Sequence, residues 1–389
     1  MVGRRSAHQV VWPSSDEVDA VLENWGHDDE NLVAKYIAQD KVTDDQAAKK
    51  WVDPDPDPDK VKAWFAARFL YLLPEGNLGQ QGSTNLVIES EEMKKMSTIL
   101  DAIGNTPLIK VDGIWVKLEF LNPSGSIKAR IAKYMIERAE KEGLLKPGDT
   151  IVEASSGNTG NAMSMVAAVK GYRMLVVMPN GMSRERTAIS RAFGAEVHTL
   201  GEFHVTDALA EVRRLGALPG YFAPQQFDNE WNVDENRTWL GQEILSQLPE
   251  GVLPDLVVGG VGTGGTIIGV GQAFKAVNPA CKVIALEPNE SCTILCGEVA
   301  KHLIEGIADG FVPGIIERHK GDIDGFVAVD SDAAIEEMRQ IAGRHGIFVG
   351  PSSGAHLMAA RDLREKYQVE NVVTFFCDEG EKYINDYWL

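Results

Sequence analysis

Short apolar runs alternate with amphipathic stretches from about Leu100 to the end of the chain. Six apolar runs predict β-strands, over residues 148–155, 172–179, 195–201, 254–261, 281–288 and 370–377. Six stretches with helical spacing of apolar residues predict helices, over residues 129–143, 160–171, 185–194, 266–277, 333–346 and 354–367. Apolar strands that alternate with helices are typical of parallel sheets covered on both faces. The pattern therefore predicts an α/β fold, in which ligands bind beyond the carboxyl ends of the strands.

The first 96 residues have a different composition from the rest. They contain four of the eight tryptophans and the run DPDPDPD at residues 53–59, which interrupts regular structure. Helical periodicity is visible before and after this run, without a recognisable chemical motif. We therefore predict a mostly helical extension over residues 1–96 and a catalytic region over residues 97–389.

The charge balance narrows the range of partners. The chain carries 38 basic and 57 acidic residues, a net charge of −19 at pH 7. Nucleic acids and anionic membranes attract basic surfaces, so neither is an expected partner. The sequence shows neither an apolar run long enough to span a membrane nor a signal-type run at the N-terminus, so we expect a cytoplasmic protein. The four cysteines lack a CxxC spacing, and we expect no metal site.

Two of the predicted strand-to-helix loops are rich in small and hydroxylated residues. The first, SSGNTG at residues 155–160, follows the strand that contains TIVEA. Its N–H groups and side chains suit a carboxylate or a phosphate, although the same residue types also form ordinary helix caps. The second, GTGGT at residues 262–266, combines three glycines and two threonines before a helix. Unpaired N–H groups and hydroxyls there form a cradle for a phosphate.

The second loop also matches GxGxxG from Gly260, the pattern of dinucleotide-binding folds. That interpretation needs an acidic residue further along the chain, for which Glu287 is the candidate. The loop lacks the GK[ST] ending of a P-loop. A NAD-dependent oxidoreductase therefore stays open as an alternative, on weaker evidence than a phosphate site.

The third loop, GPSSG at residues 350–354, places Ser352 between a strand and a helix. A serine there caps the helix or binds a heterocyclic nitrogen. The loop also matches the GxSxG elbow of serine hydrolases, which need a triad histidine. The only histidine after Ser352 is His356, one turn further along the same predicted helix. That geometry is wrong for a triad, so the sequence disfavours a hydrolase.

Lys128 stands where a helix is predicted to begin, in NPSGSIKAR at residues 122–130. Helices favour cations at their other end, because the N-terminus is electropositive. The simplest interpretation is that Lys128 is a solvated surface lysine without a chemical role. However, an uncharged amine can attack a carbonyl carbon. A lysine, an Asn/Thr loop, a phosphate-type loop and a late serine together indicate pyridoxal phosphate (PLP), with Lys128 forming the Schiff base.

The order of NPSGSIKAR, SSGNTG, GTGGT and GPSSG, preceded by IGNTPLIKV, resembles the cysteine synthase (O-acetylserine sulfhydrylase) family of fold-type II PLP-dependent enzymes. The resemblance covers about residues 100–389. It implies two three-layer α/β/α subdomains with mainly parallel sheets (tryptophan synthase β-like), the smaller and movable one spanning about residues 129–235. The implied reaction is formation of L-cysteine from O-acetylserine and sulfide, by β-replacement through an enzyme-bound α-aminoacrylate. The family also implies a homodimer, and serine acetyltransferase is a candidate partner.

The resemblance assigns roles to individual residues. Lys128 holds PLP and removes the Cα proton of the substrate, Asn158 hydrogen-bonds the 3′-oxygen of the cofactor, and Ser352 faces its pyridine nitrogen. The residues assigned to the cofactor phosphate are Gly262, Thr263, Gly264, Gly265 and Thr266. The residues assigned to the substrate α-carboxylate are Ser155, Ser156, Gly157, Thr159 and Gln226.

Some positions depart from the family pattern, and they leave the substrates open. The departures are Ala129, Asn236, Trp239, Leu240, Asp378 and Glu379. We expect Trp239 and Leu240 to alter the amino-acid pocket more than the cofactor site. Alternatives with the same chemistry are O-phosphoserine as donor, a cystathionine β-synthase-like reaction, and amine addition of the diaminopropionate type.

Overall fold

The computed structural model describes residues 97–182, 184–202 and 205–389. The predicted helical extension over residues 1–96 lies outside the described residues and stays a prediction. The described part contains two β-sheets and their flanking helices, the α/β fold that the sequence predicts. All six predicted strands and all six predicted helices are present, with ends that differ by a few residues.

Among the described residues, the larger sheet has six strands. Its strands are β1 Leu108–Val111, β2 Ile114–Leu118, β7 Leu256–Gly260, β8 Lys282–Pro288, β9 Gly325–Val329 and β10 Val372–Phe376. Their order is β1-β2-β10-β7-β8-β9, and every pairing is parallel except β1 with β2. Asp112 and Gly113 have φ values of 50° and 80°. They form the tight two-residue turn that an antiparallel hairpin requires.

The smaller sheet is entirely parallel. Its strands are β3 Thr150–Ala154, β4 Arg173–Asn180, β5 Glu196–Glu202 and β6 Tyr221–Phe222, in the order β5-β4-β3-β6. Every residue of β3 is buried, as expected for a parallel strand covered on both faces. This sheet lies within residues 129–235, the predicted smaller subdomain, whose boundaries and mobility stay predictions.

Eleven α-helices occur among the described residues. They are α1 Lys128–Lys141, α2 Asn158–Lys170, α3 Arg184–Ala192, α4 Thr206–Gly216, α5 Trp231–Glu235, α6 Gly241–Gln247, α7 Gly265–Val277, α8 Thr293–Cys296, α9 Gly314–His319, α10 Ser331–His345 and α11 Pro351–Tyr367. A π-helical turn, Asn236–Leu240, joins α5 to α6. Strand β3 leads into α2 and β7 into α7 through short loops. No helix in the described ranges is long and apolar enough to cross a membrane.

A buried ion network lies beneath the start of α1. Arg130 Nε and Nη2 donate to the two carboxylate oxygens of Glu119, at 2.7 and 2.8 Å. Arg130 Nη1 and Nη2 also donate to both oxygens of Glu243, and Lys117 Nζ donates to Glu243 Oε1 at 2.6 Å. Burial alone would raise the pKa of Glu243, but the bonds from Arg130 and Lys117 outweigh it and lower this pKa to about 2. The network therefore holds the first turn of α1 in place through Arg130, which is two residues after Lys128.

Glu235, the last residue of α5, is fully buried. Neither of its carboxylate oxygens has a hydrogen-bond partner among the described residues. Burial raises the pKa of Glu235 to about 8. Between the ordinary glutamate pKa of 4.5 and about 8, the native state therefore binds a proton that the unfolded chain has released. Such a group makes the free energy of unfolding fall as the pH rises through this window.

We expect Glu235→Gln to remove this pH dependence, because the amide has a similar shape and no charge. The melting temperature of the variant minus that of the wild type should increase as the pH rises from about 5 to about 9. Scanning calorimetry of both proteins across this range checks the prediction. The matched control is Glu365→Gln on the exposed face of α11. A wild-type-minus-E235Q difference that stays constant with pH would contradict the assignment.

Candidate active site

Lys128 lies where two cavities meet. The cavities have about 420 and 560 Å³ of open space, and Lys128, Asn158, Gly262 and Thr263 line both of them. As predicted, Lys128 begins a helix, and its side chain is half-buried. No hydrogen bond or salt bridge joins Lys128 Nζ to another described residue. The amine is therefore available to a molecule that occupies these cavities.

The glycine loop presents a hydroxyl proton to the cavities. Thr263 Oγ1 accepts hydrogen bonds from Asn232 Nδ2 at 2.9 Å and from the Gly265 N–H at 3.3 Å. A hydroxyl has one proton to donate and two acceptor positions. Because both acceptor positions of Thr263 are used, its proton is left to donate to an anion. The loop also lies at the N-terminus of α7, where the helix dipole favours negative charge.

The loop is packed so closely that it requires glycine. A Cβ atom at Gly262 would meet the Gly306 carbonyl oxygen at 2.7 Å. A Cβ atom at Gly265 would overlap the side-chain amide of Asn232, which is the group that bonds to Thr263. Gly264 has a φ of 88°, in the left-handed region that glycine adopts readily. Tight packing thus fixes the shape of the loop that the sequence predicts to be a phosphate cradle.

We expect Gly265→Ala to weaken PLP binding at least about tenfold, because the new methyl group displaces Asn232 and frees the Thr263 hydroxyl from its orientation. Titration of the apoenzyme with PLP measures this loss. The control is Gly343→Ala in α10, where a Cβ atom meets nothing within 4 Å. An unchanged PLP affinity in G265A would show that the cradle does not hold the cofactor.

The loop after β3 forms the wall of the smaller cavity. Ser155 Oγ accepts from the N–H groups of Gly157 and Gly160, at 3.0 and 2.9 Å, which leaves its proton to donate. Thr159 Oγ1 donates to Gln226 Oε1 at 2.6 Å. These side chains line the cavity together with Ser156. The residues predicted to bind a carboxylate are thus brought together, except that Gly157 packs against the side chain of Arg186.

Ser352 lies in the first turn of α11, buried in the wall of the larger cavity. His356, one turn further along, has both ring nitrogens engaged. Its Nε2 accepts from the Gly260 N–H at 2.7 Å, and its Nδ1 donates to the Phe375 carbonyl at 2.8 Å. Burial lowers the pKa of His356 to about 4, so the ring is neutral. His356 therefore supports the end of β7 and is not placed to act as a base on Ser352.

Sequence reasoning missed two charged residues beside the smaller cavity. Arg186, from α3, is buried, pairs with Glu305 and lies over the ring of Tyr383 at 5.1 Å. Asp309 lines the cavity from the segment before α9. Neither residue belongs to a motif with a recognisable spacing, so the sequence carried no signal for them.

The structure shows where three of the positions that depart from the family pattern lie. Trp239 packs against Gly104 and lies under the Arg130 guanidinium, and Leu240 is buried in the core. Neither lines the two cavities, so the expectation that they alter the amino-acid pocket is wrong. Asp378, in contrast, lines the larger cavity.

Comparisons with known proteins show the family to which the chain belongs. The family model described as pyridoxal-phosphate dependent enzyme matches residues 99–378. A cysteine synthase of Staphylococcus aureus is 40% identical over 302 residues, covering 75% of this chain and 96% of the relative. O-ureido-L-serine synthase of Streptomyces lavendulae is 38% identical over 310 residues, covering 76% of this chain and 93% of the relative. The crystal structure of an O-acetylserine-dependent cystathionine β-synthase from Helicobacter pylori superimposes with a TM-score of 0.70 at 33% identity, covering 76% of this chain and all of that one.

The chain belongs to the family of pyridoxal-phosphate dependent enzymes, of fold type II. Within that class it is a member of the cysteine synthase group. PLP is therefore its cofactor, as predicted, and the NAD-dependent alternative is set aside.

The residues present fit PLP. The Lys128 amine, which no described side chain engages, can bond to an aldehyde carbon. The glycine loop offers a cradle and a hydroxyl proton for a phosphate group. Ser352 and Asn158 supply neutral polar groups, and both line the larger cavity.

Proposed function

We propose that this enzyme forms L-cysteine and acetate from O-acetyl-L-serine and sulfide. The observation that carries the proposal is the position of Lys128, which lines both the cavity with the carboxylate-type loop and the cavity with the phosphate-type loop. An amino acid held by its carboxylate at the first loop would have its Cα near the Lys128 amine. PLP, when bound, draws electrons from Cα and so allows the proton on Cα and the acetate group on Cβ to leave.

Different side chains of this protein would perform the separate steps of the reaction. Ser155 and the residues around it bind the α-carboxylate, and Lys128 Nζ takes the proton from Cα. Ser352 offers the cofactor ring a neutral hydroxyl, which does not hold a proton on the pyridine nitrogen as a carboxylate would. Closure of the smaller subdomain would exclude water until the nucleophile adds to Cβ.

A second candidate keeps the donor and changes the nucleophile to a thiol amino acid. A vestibule with about 1320 Å³ of open space adjoins the smaller cavity and shares Ser156, Arg186, Gly306 and Asp309 with it. Its walls also carry Lys301 and Asp386. Charges of both signs suit a zwitterion, and the space exceeds what sulfide needs. This observation supports an amino-acid nucleophile such as L-homocysteine.

Product analysis by mass spectrometry separates the two candidates. The holoenzyme is given O-acetylserine or O-phosphoserine together with sulfide, L-homocysteine or ammonia, and each kcat/KM is measured. We expect O-acetylserine with sulfide to exceed the other pairs by about tenfold or more. A higher kcat/KM with homocysteine would support the second candidate, and no product from any pair would contradict both.

We also propose a homodimer in the cytoplasm, with serine acetyltransferase as a candidate partner. The family resemblance supports these three assignments. Size-exclusion chromatography with light scattering tests the dimer, and titration with a C-terminal peptide of serine acetyltransferase tests the partner.

A further inference from the structure

The C-terminal segment, residues 377–383, is paired with the loop that precedes Lys128. The Ile127 N–H donates to the Cys377 carbonyl at 2.8 Å, and the Glu379 N–H donates to the Gly125 carbonyl at 3.1 Å. Ser126 and Asp378 form an antiparallel bridge between these two bonds. The segment therefore lies against the loop that positions Lys128.

Asp378 connects this segment to Asn158. Asn158 Nδ2 donates to Asp378 Oδ2 at 2.7 Å, and the Tyr383 hydroxyl donates to the same oxygen at 2.5 Å. Asp378 is 1% exposed and lines the larger cavity together with Ser352. Its other oxygen, Oδ1, has no hydrogen-bond partner among the described residues. A buried carboxylate with half of its acceptor capacity unused is costly, and a structural role alone gives no reason to retain it.

Lys382 holds the other end of the same amide. Its Nζ donates to Asn158 Oδ1 at 3.0 Å and to the carbonyl oxygens of Ser124 and Gly125 at 3.1 and 3.0 Å. Lys382 is 1% exposed. Burial lowers the pKa of Lys382, and the carboxylates of Asp378 and Glu379 oppose that shift. One buried ammonium thus ties the loop before Lys128 to the first residue of α2.

These contacts fix which way the Asn158 amide points. An acceptor, Asp378, faces its nitrogen, and a donor, Lys382, faces its oxygen, so the flipped amide would face both groups with the wrong polarity. An amide nitrogen carries two hydrogens, and Asp378 uses one of them. We propose that Asp378 and Lys382 are positioning residues for the cofactor, which hold the second Nδ2 hydrogen of Asn158 toward the 3′-oxygen of PLP. This inference rests on the proposed assignment of Asn158 to that oxygen.

The test uses the absorbance spectrum and the PLP affinity of the enzyme without substrate, since a merely structural role would leave the cofactor spectrum unchanged. The variants are N158A, Asp378→Leu, which removes the acceptor, and the double variant. We expect N158A and D378L each to shift the cofactor bands and to weaken PLP binding about tenfold. The double variant should be no weaker than N158A, because Asp378 acts through Asn158. Glu381→Gln, one exposed carboxylate within the same segment, is the control and should match the wild type.

A folded D378L with wild-type spectrum and affinity would overturn the proposal, and so would effects that add fully in the double variant. Should D378L fail to fold, Lys382→Met serves instead, because it keeps the chain length and removes the donor to Asn158. It should shift the same bands, and an unchanged spectrum would equally overturn the proposal. A wild-type spectrum in N158A would show that Asn158 does not bind the 3′-oxygen of PLP, which is the assignment on which the inference rests. Because no substrate is present, failure of cysteine synthesis would not affect these results.

Discussion

Lys128→Ala is expected to lower the rate of cysteine formation by about 10³-fold or more, while the protein still binds PLP. Lys128 is the lysine that lines both cavities, and its amine has no partner among the described side chains. Removing a positioned base typically costs about 10²–10⁴-fold, and the variant loses a covalent nucleophile as well. The substitution leaves the glycine loop untouched, and with it the proposed cradle for the PLP phosphate. Steady-state kinetics together with the PLP content of the purified variant measure both parts of the prediction.

Lys141→Ala is the matched control, since Lys141 ends the same helix and is exposed. Its rate should equal that of the wild type. A K128A variant that keeps about a tenth of wild-type activity or more would show that another group removes the Cα proton. A K128A variant that unfolds would be recognised by circular dichroism and would be replaced by Lys128→Arg.

Arg130→Met is expected to lower the free energy of unfolding by about 3–5 kcal/mol, the largest loss of stability that we predict. Arg130 and Glu119 have fully buried side chains, and Arg130 also bonds to Glu243. Methionine fills a similar volume but leaves the Glu119 carboxylate buried without its cation. An uncompensated buried charge costs far more than the net value of the intact pair. Urea denaturation followed by circular dichroism measures the change.

Arg214→Met provides the comparison, because Arg214 forms a similar bond to Glu211 at 2.7 Å but its side chain is 61% exposed. Exposed pairs contribute little, since water and salt screen them. We expect the denaturation midpoint of R214M to match the wild type. Equal midpoints for R130M and R214M would contradict the importance of the buried network.

The sequence alone predicted six strands of the two sheets, β3, β4, β5, β7, β8 and β10, and the three loops to which it assigns ligand binding. Strands such as β3 and β10 are mostly apolar and are buried at every position, and loops such as GTGGT combine residue types that suit the same kind of ligand. It did not predict β1, β2, β6 and β9. In β1 and β9 most residues are only partly buried, so their apolar signal is weak, and β6 is only two residues long.

The sequence did not predict individual long-range contacts. The place of Trp239 along the chain predicted an effect on the amino-acid pocket, but its side chain packs against Gly104 and the Arg130 guanidinium. Asp378 is 220 residues from Asn158, and its segment reaches the site because it follows β10, which lies between β2 and β7 in the larger sheet. Contacts of this kind depend on strand order, which local patterns do not encode.

The central claim, that Lys128 carries the cofactor, is tested most directly by borohydride reduction of the holoenzyme followed by peptide mass mapping. Reduction makes the link between PLP and its lysine permanent, so the modified peptide identifies the residue. We predict a phosphopyridoxyl group on Lys128 alone. A modification on another lysine, such as Lys117 or Lys382, or an unmodified protein after reconstitution with PLP, would contradict the account.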